Sequence, residues 1–191
     1  ISQCQSGRPG FNHPYSAKRK MTLESISLLM DTTPELEKRK MIFIDNQQDF
    51  LESALLERAA RFALDLKPDS ASTSAPLTLS RGSFGSASSD ITIVLTDDAQ
   101  LRELNRDYLG VDAPTDVLSF PASESDPETG STYLGDILIS IPRATQQAQA
   151  AGHPVEAEVQ LLVVHGVLHL LGYDHAEAQE KARMWAEQEK V

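Results

Sequence analysis

Three of the five histidines in this 191-residue chain lie within one eleven-residue segment. His165 and His169 are four positions apart, so on a helix their side chains differ by about 40° in direction and lie one turn apart. Two imidazoles placed in this way can bind one ion with metal–nitrogen bonds of about 2.0–2.1 Å. Gly172 can then adopt a left-handed conformation that reverses the chain and returns His175 to the same point. Three imidazoles and an open fourth position are typical of a catalytic zinc site, or of a site for a similar transition metal.

An alternative interpretation is that these histidines are hydrogen-bonded residues of an ordinary core. However, the predicted helix is apolar on nearly every side, which is typical of a buried helix. Buried polar rings need partners, and one metal ion would satisfy all three, so we predict that His165, His169 and His175 bind a metal. The apolar residues of this helix are Leu161, Leu162, Val163, Val164, Val167, Leu168, Leu170 and Leu171.

The histidine spacing is shared with hydrolytic zinc peptidases, whose pattern is His-Glu-x-x-His-x-x-Gly-x-x-His. In those enzymes the glutamate after the first histidine is the general base. Here that position is Gly166. A zinc peptidase or amidase is therefore only a remote alternative.

Three ordered motifs resemble those of one known family. The segment His165–His175 resembles the signature of the YbeY family, metal-dependent endoribonucleases of ribosomal RNA maturation. Asp112–Pro121 resembles the family's second hallmark, and Tyr133–Ser140 resembles the strand that follows it. The resemblance extends from Ile91 to Trp185.

The resemblance implies a cytoplasmic hydrolase that cleaves single-stranded small-subunit ribosomal RNA, notably at its 3′ end, and acts in ribosome quality control. It implies one Zn²⁺ ion held by His165, His169 and His175, with another divalent transition metal as the alternative. The implied partners are ribosomal RNA and the small ribosomal subunit. No membrane or DNA partner is expected.

The sequence departs from the family at one position, because members usually carry an arginine between the residues equivalent to Tyr108 and Gly110. Such an arginine could hold a scissile phosphate with two hydrogen bonds and stabilise its developing charge. Leu109 can do neither. Arg106, one helical turn earlier, and Arg102 are the candidate replacements. A second hypothesis is therefore a zinc-stabilised ribosome-assembly factor with weak or no nuclease activity.

Three acidic residues near the motifs are further candidates. Asp174 precedes His175 and can act as a base or hydrogen-bond an imidazole. Asp116 and Asp136 either line the site and orient the histidines, or cap loops and face solvent.

The elements that must position these residues are short strands interspersed with helices. Periodicity and flanking residues predict strands at 41–45, 91–96, 117–120 and 134–141, with Pro121 ending the third. Helices are predicted from Asp49 to before Pro68, from about 97 to 110, at 142–151, at 155–171, and from Ala176 onwards, the last anchored in the core by Met184 and Trp185. We therefore predict an α+β fold with a small mixed sheet and a zincin-like metal helix.

Composition predicts a disordered tail or start-site artefact at 1–40 and a single metal-dependent hydrolase domain at 41–191, interrupted by a flexible Ser- and Ala-rich insertion at 67–90. Cys4 is the only cysteine, which excludes an internal disulfide and any cysteine-based metal site within the chain. No signal-like apolar segment is present, so a cytoplasmic location is expected. The basic first twenty residues leave organellar import as a minor alternative.

The net charge of −11 is unevenly distributed. Residues 1–20 carry four basic side chains and no acidic one, whereas residues 91–175 carry three arginines against thirteen Asp and Glu. Such an acidic surface repels phosphate backbones and argues against nonspecific nucleic-acid binding. The apolar stretch at 159–171 is too short and too polar to cross a bilayer.

Overall fold

In the computed structural model, the described residues are 40–48, 53–66, 89–125, 130–175 and 177–190. The predicted tail therefore lies outside the described residues except for Lys40. The predicted insertion at 67–90 also lies outside them except for Ser89 and Asp90, which already belong to a strand. The predicted residues 49–52 of the first helix are likewise outside.

The described strands form one four-stranded sheet of mixed direction. Its strands are β1 (Ile42–Asn46), β2 (Ser89–Thr96), β3 (Val117–Ser125) and β4 (Thr132–Ser140). Their spatial order is β1-β2-β4-β3, in which β1 pairs parallel to β2, β2 parallel to β4, and β3 antiparallel to β4. The predicted mixed sheet is confirmed.

The helices cover both faces of this sheet, and the predicted α+β class is also confirmed. They are α1 (Ser53–Asp65), α2 (Asp98–Leu104), α3 (Ile141–Ala151), α4 (Val155–Leu170) and α5 (Ala178–Gln188). Asp97 caps α2 by accepting a hydrogen bond from the Gln100 amide, and Gly152 ends α3 in a left-handed conformation. None of the described helices is long and apolar enough to cross a membrane.

The alternation of side chains along the strands produces two apolar clusters. On β2, Ile91, Ile93 and Leu95 face the larger cluster, whereas Val94 faces the smaller one. The larger cluster is covered by α1 and α4, and the smaller one by α2. Burying a side chain of this size contributes about 1.5–3 kcal/mol, so the sheet is stabilised from both sides.

The helix α4 lies at the centre of the molecule, and every residue from Leu162 to Leu170 is buried. Gly166 marks its closest approach to the sheet, because a β-carbon there would lie 2.6 Å from Ile137 Cγ2 on β4. The predicted burial is confirmed for this stretch but not for Leu161, which is 41% exposed, and the close packing at Gly166 fixes the rotation of α4 about its own axis.

The prediction that Pro121 ends the third strand is wrong, because β3 continues to Ser125. Pro121 pairs with Gly135 immediately before a register shift, on the edge strand of the sheet. An edge position and an irregular ladder both tolerate a residue that has no N–H to donate.

Two further differences concern helices. The predicted helix ending at Gly110 is α2 followed by a π-helical turn, Asn105–Leu109. Trp185, predicted as a core residue, is only half-buried, and its ring lies against the Lys181 ammonium at 4.3 Å. Of the two predicted anchors of α5, only Met184 is fully buried.

Candidate metal centre

Two of the three predicted histidines project from the buried helix α4. His165 and His169 are 7% and 5% exposed. Their ring centroids are 4.7 Å apart and their Nε2 atoms are 3.1 Å apart. The four-residue spacing therefore brings the two rings together on one face, as the sequence predicts.

The third histidine arrives through a tight reversal after α4. Gly172 has a φ of 92°, in the left-handed region. The Gly172 and Tyr173 N–H groups donate to the carbonyls of His169 and Leu168 at 3.0 Å each. His175 then lies with its ring centroid 5.0 Å from that of His169 and 5.6 Å from that of His165. The turn predicted at Gly172 is present.

Hydrogen bonds to the Nδ1 atoms orient the two helical rings. His169 Nδ1 donates to the Tyr173 carbonyl at 3.0 Å, and His165 Nδ1 donates to Gln188 Oε1 at 3.1 Å. Both partners are oxygens that can only accept, so the proton of each neutral ring lies on Nδ1. The Nε2 lone pairs are left facing each other, which is the arrangement that metal-binding histidines adopt.

Burial holds the two helical imidazoles in their neutral form. The pKa of His169 is lowered to about 4, chiefly by desolvation and also by the neighbouring His165 and His175. Desolvation also lowers the pKa of His165, against the opposing hydrogen bond to Gln188. Because only a neutral imidazole can bind a metal, these two rings are ready to coordinate at neutral pH.

The geometry of the cluster fits one metal ion. The potential ligand atoms of His165, His169 and His175 all lie within 4.8 Å of one another. A tetrahedral ion with bonds of about 2.0–2.1 Å needs nitrogens about 3.3 Å apart, so small ring movements suffice. Three nitrogen donors can hold a divalent transition metal and leave one position open.

Asp174 raises the pKa of His169, and a second acidic residue that acts on this cluster is the buried Asp116. Its side chain is 4% exposed, and its negative charge raises the pKa of His165 against the effect of burial. Its Oδ1 accepts from the Val117 N–H at 3.0 Å and its Oδ2 from Gln147 Nε2 at 3.1 Å. Asp116 therefore fits the capping alternative, because it caps the start of β3, and its charge also contributes to the potential at His165.

Asp136 belongs to the interior of the sheet. It is fully buried on β4 and accepts a hydrogen bond from the Tyr133 hydroxyl. The same hydroxyl lies 2.8 Å from Thr92 Oγ1 on β2. These contacts link neighbouring strands, so Asp136 is not the solvent-facing residue that one alternative predicted.

The remaining charged residues that the sequence proposes as candidates are exposed. Asp174 Oδ1 accepts from the His175 backbone N–H at 2.7 Å. Arg106 is paired with Asp107 at 2.9 Å, and Arg102 donates to both oxygens of Asp112 at 2.7 and 3.0 Å. These carboxylates raise the pKa of each arginine, so both guanidiniums remain charged.

Leu109 lies where the resemblance predicts an arginine. It ends the π-helical turn and packs against the smaller apolar cluster of Val94, Leu101, Leu118 and Leu138. This packing explains why leucine is compatible with the fold at this position.

Sequence reasoning missed Gln188 and Gln147, the two glutamines that contact ionisable groups of this region. Both lie on helices remote in sequence from their partners, 23 and 31 positions away. A weak signal for Gln188 exists, because it follows the buried Met184 by four positions and so lies on the same helix face.

An α+β fold with a three-histidine cluster, of which two rings are buried and which can hold a metal with one position left open, is the framework of a metal-dependent hydrolase. The chain belongs to the YbeY family: a family model described as Endoribonuclease YbeY matches residues 44–191. The resemblance found in the three motifs is confirmed.

Two relatives with this name agree with the assignment. A protein of Moorella thermoacetica named Endoribonuclease YbeY is 50% identical over 109 residues, covering 53% of this chain and 70% of the relative. One of Halalkalibacterium halodurans with the same name is 46% identical over 110 residues, covering 53% and 69%. The solution structure of TM1509 from Thermotoga maritima is 27% identical, with a TM-score of 0.49, and the match covers 78% of this chain and 85% of that one.

Proposed function

We propose that this protein is a metal-dependent endoribonuclease that cleaves small-subunit ribosomal RNA near its 3′ end, in the cytoplasm, and that residues 41–191 form its catalytic domain. The observation that carries the proposal is the convergence of His165, His169 and His175 within 4.8 Å. The names of the relatives support RNA cleavage as the activity.

Zinc is the ion we propose for the three histidines, because three imidazole donors with a fourth position left open suit a borderline metal that accepts tetrahedral coordination. When bound in such a site, the ion lowers the pKa of a coordinated water towards about 7 and polarises a phosphoryl oxygen. The contribution of the protein is to hold the rings neutral and oriented, through burial and through the bonds to Gln188 and Tyr173.

We propose Arg106 as the cation that takes the place of the missing arginine, with Arg102 as the alternative. Arg106 lies on the π-helical turn beside Leu109 and its side chain is half-exposed. To bind a phosphate it must exchange its partner Asp107, and an exposed ion pair of this kind contributes only about 0–1 kcal/mol. Asp174 is the proposed base, because it is exposed and adjoins the ligand His175.

A cleavage assay on precursor small-subunit RNA tests the proposal. We expect His169→Ala to reduce cleavage by at least about 100-fold, since loss of one ligand removes the activated water. His153→Ala is the matched control, because His153 lies outside the cluster and pairs with Glu158 at 3.0 Å. Equal cleavage by wild type and His169→Ala would show that the histidine cluster takes no part in the reaction.

The packing of Leu109 favours one second candidate, a ribosome-assembly factor with weak or no nuclease activity. Leu109→Arg discriminates between the two. A large gain in cleavage indicates that the enzyme has lost its phosphate-binding cation, whereas unchanged strong cleavage indicates that another cation serves the site. The peptidase alternative gains no support, because residue 166 faces Ile137 on the sheet and offers no room for a catalytic carboxylate.

A further inference from the structure

The two helical histidines are oriented by different kinds of acceptor. The acceptor for His169 is the Tyr173 carbonyl, which belongs to the same turn that ends α4. The acceptor for His165 is the side chain of Gln188, which belongs to a separate helix. Only the second contact depends on the docking of another element.

The C-terminal helix α5 presents two inward contacts on one face. Met184 is 2% exposed and belongs to the larger apolar cluster. Gln188 follows it by one helical turn, so its side chain points the same way and meets His165 Nδ1 at 3.1 Å. Most of the remaining helix surface is exposed. The docking of α5 and the orientation of His165 are therefore physically connected.

An amide oxygen can only accept a hydrogen bond. While Gln188 Oε1 faces His165 Nδ1, the neutral ring must carry its proton there and keep its lone pair on Nε2. That Nε2 is the atom 3.1 Å from Nε2 of His169. Without the acceptor, His165 is free to place its proton on Nε2, and in that form the atom facing the cluster cannot bind a metal.

We propose that Gln188 is a positioning residue of the metal centre and that docking of α5 and metal binding stabilise each other through its bond to His165. This inference rests on the proposed metal site. An ion that needs His165 in this tautomer stabilises the docked form of α5. By thermodynamic linkage, docking of α5 raises the affinity for the ion by the same factor by which the ion raises the equilibrium constant for docking. Outer hydrogen-bond partners of metal-binding histidines typically change metal affinity by about 10–100-fold.

The decisive variant is Gln188→Met, which keeps the length and the packing of the side chain but removes the acceptor. Gln188→Glu restores an acceptor at the same place. Gln179→Met makes the same chemical change at an exposed position of the same helix and is the matched control. Zn²⁺ affinity is measured in full-length protein by competition with a chromophoric chelator, and Co²⁺ absorption reports the coordination.

A second measurement separates an effect on the orientation of the His165 ring from a general destabilisation of α5. Nitrogen-15 chemical shifts of the His165 ring in the metal-free protein report which nitrogen carries the proton. We expect Nδ1 in the wild type and in Gln179→Met, and a mixture of the two tautomers in Gln188→Met. Amide hydrogen exchange in α5 reports docking, and we expect Zn²⁺ to slow it in the wild type but much less in Gln188→Met.

We expect Gln188→Met to weaken Zn²⁺ binding by about tenfold or more, with Gln188→Glu and Gln179→Met near wild type. Wild-type affinity and an Nδ1-protonated His165 in Gln188→Met would overturn the inference while leaving the metal site intact. Failure of the wild type itself to bind Zn²⁺ or Co²⁺ would instead overturn the proposed function. Equal loss in Gln188→Met and Gln179→Met would also overturn the inference, because it would show a general effect on the helix.

Discussion

The protonation state of His169 determines how the stability of the metal-free protein depends on pH. Its pKa is lowered to about 4 by burial, whereas an unfolded histidine titrates near 6.5. Between these two pH values the unfolded chain binds more protons than the folded one, so stability rises with pH. The same burial that keeps the ring available to a metal makes the metal-free fold sensitive to acid.

We therefore predict that the free energy of unfolding of the metal-free protein decreases by about 3 kcal/mol through this group as the pH falls from about 6.5 to about 4. Urea unfolding of chelator-treated protein across this range measures the decrease. His169→Gln should flatten the profile. Parallel profiles for wild type and His169→Gln would contradict the assigned pKa.

Gly166 is a single residue that determines how closely the helix α4 packs against the strand β4. Replacing glycine by alanine within a helix normally stabilises by about 1 kcal/mol. Here the added β-carbon would lie 2.6 Å from Ile137 Cγ2, so α4 and β4 would have to separate. The helix that holds two of the three histidines is thus positioned by the absence of a side chain.

We predict that Gly166→Ala destabilises the protein by about 1–3 kcal/mol, as overpacking of a close-packed core does. Ile137→Ala removes the obstructing methyl groups. The double variant should therefore lose less stability than the two single variants lose in sum. Thermal unfolding of the four proteins of this cycle gives the coupling. Strict additivity would show that the contact does not limit the packing.

At the scale of elements, the turn after α4 decides whether His175 reaches the other two rings. Gly172 and Gly152 both end helices in the left-handed region, with φ values of 92° and 77°, and a β-carbon would meet nothing within 4 Å at either. A substitution at either position would strain the backbone in the same way, but only Gly172 is next to the histidine cluster.

We predict that Gly172→Ala and Gly152→Ala each cost about 1–2 kcal/mol of stability. Only Gly172→Ala should also weaken Zn²⁺ binding, by about 5–30-fold, because binding must restore the strained turn that brings His175 into place. Equilibrium unfolding and metal titration of both variants provide the comparison. A similar loss of affinity in both would argue against a specific role for the turn.

At the scale of the whole molecule, the acidic surface limits how RNA can be bound. Residues 91–175 contain only three arginines. Arg102, Arg106 and Arg143 all lie within 4.0 Å of an aspartate oxygen. Binding that relies on phosphate contacts would have to break these pairs, so recognition must depend on a local site.

We predict weak, shallowly salt-dependent binding of unstructured single-stranded RNA to His169→Ala protein, measured by fluorescence anisotropy. The slope of log affinity against log salt should be no steeper than about −3.5, the value expected if Arg106 and all four basic residues of the first twenty bound phosphates. A slope beyond about −4 would reveal a basic surface that the charge distribution does not provide.

The sequence alone determined the features that depend on local spacing and composition. The pair His165 and His169, the reversal at Gly172 and the return of His175 follow from helix periodicity and from the conformational freedom of glycine. The buried character of α4 and the mixed α+β class follow from patterns of apolar residues that each element carries within itself.

Tertiary structure decided everything that joins residues distant along the chain. It placed Gln188 on His165, Asp116 close enough to act on that ring, and Gly166 against Ile137. It also carried β3 through Pro121, which an edge strand with a register shift accommodates. Local periodicity contains no information about which faces meet, because that choice depends on how the side chains of separate elements fill the space between them.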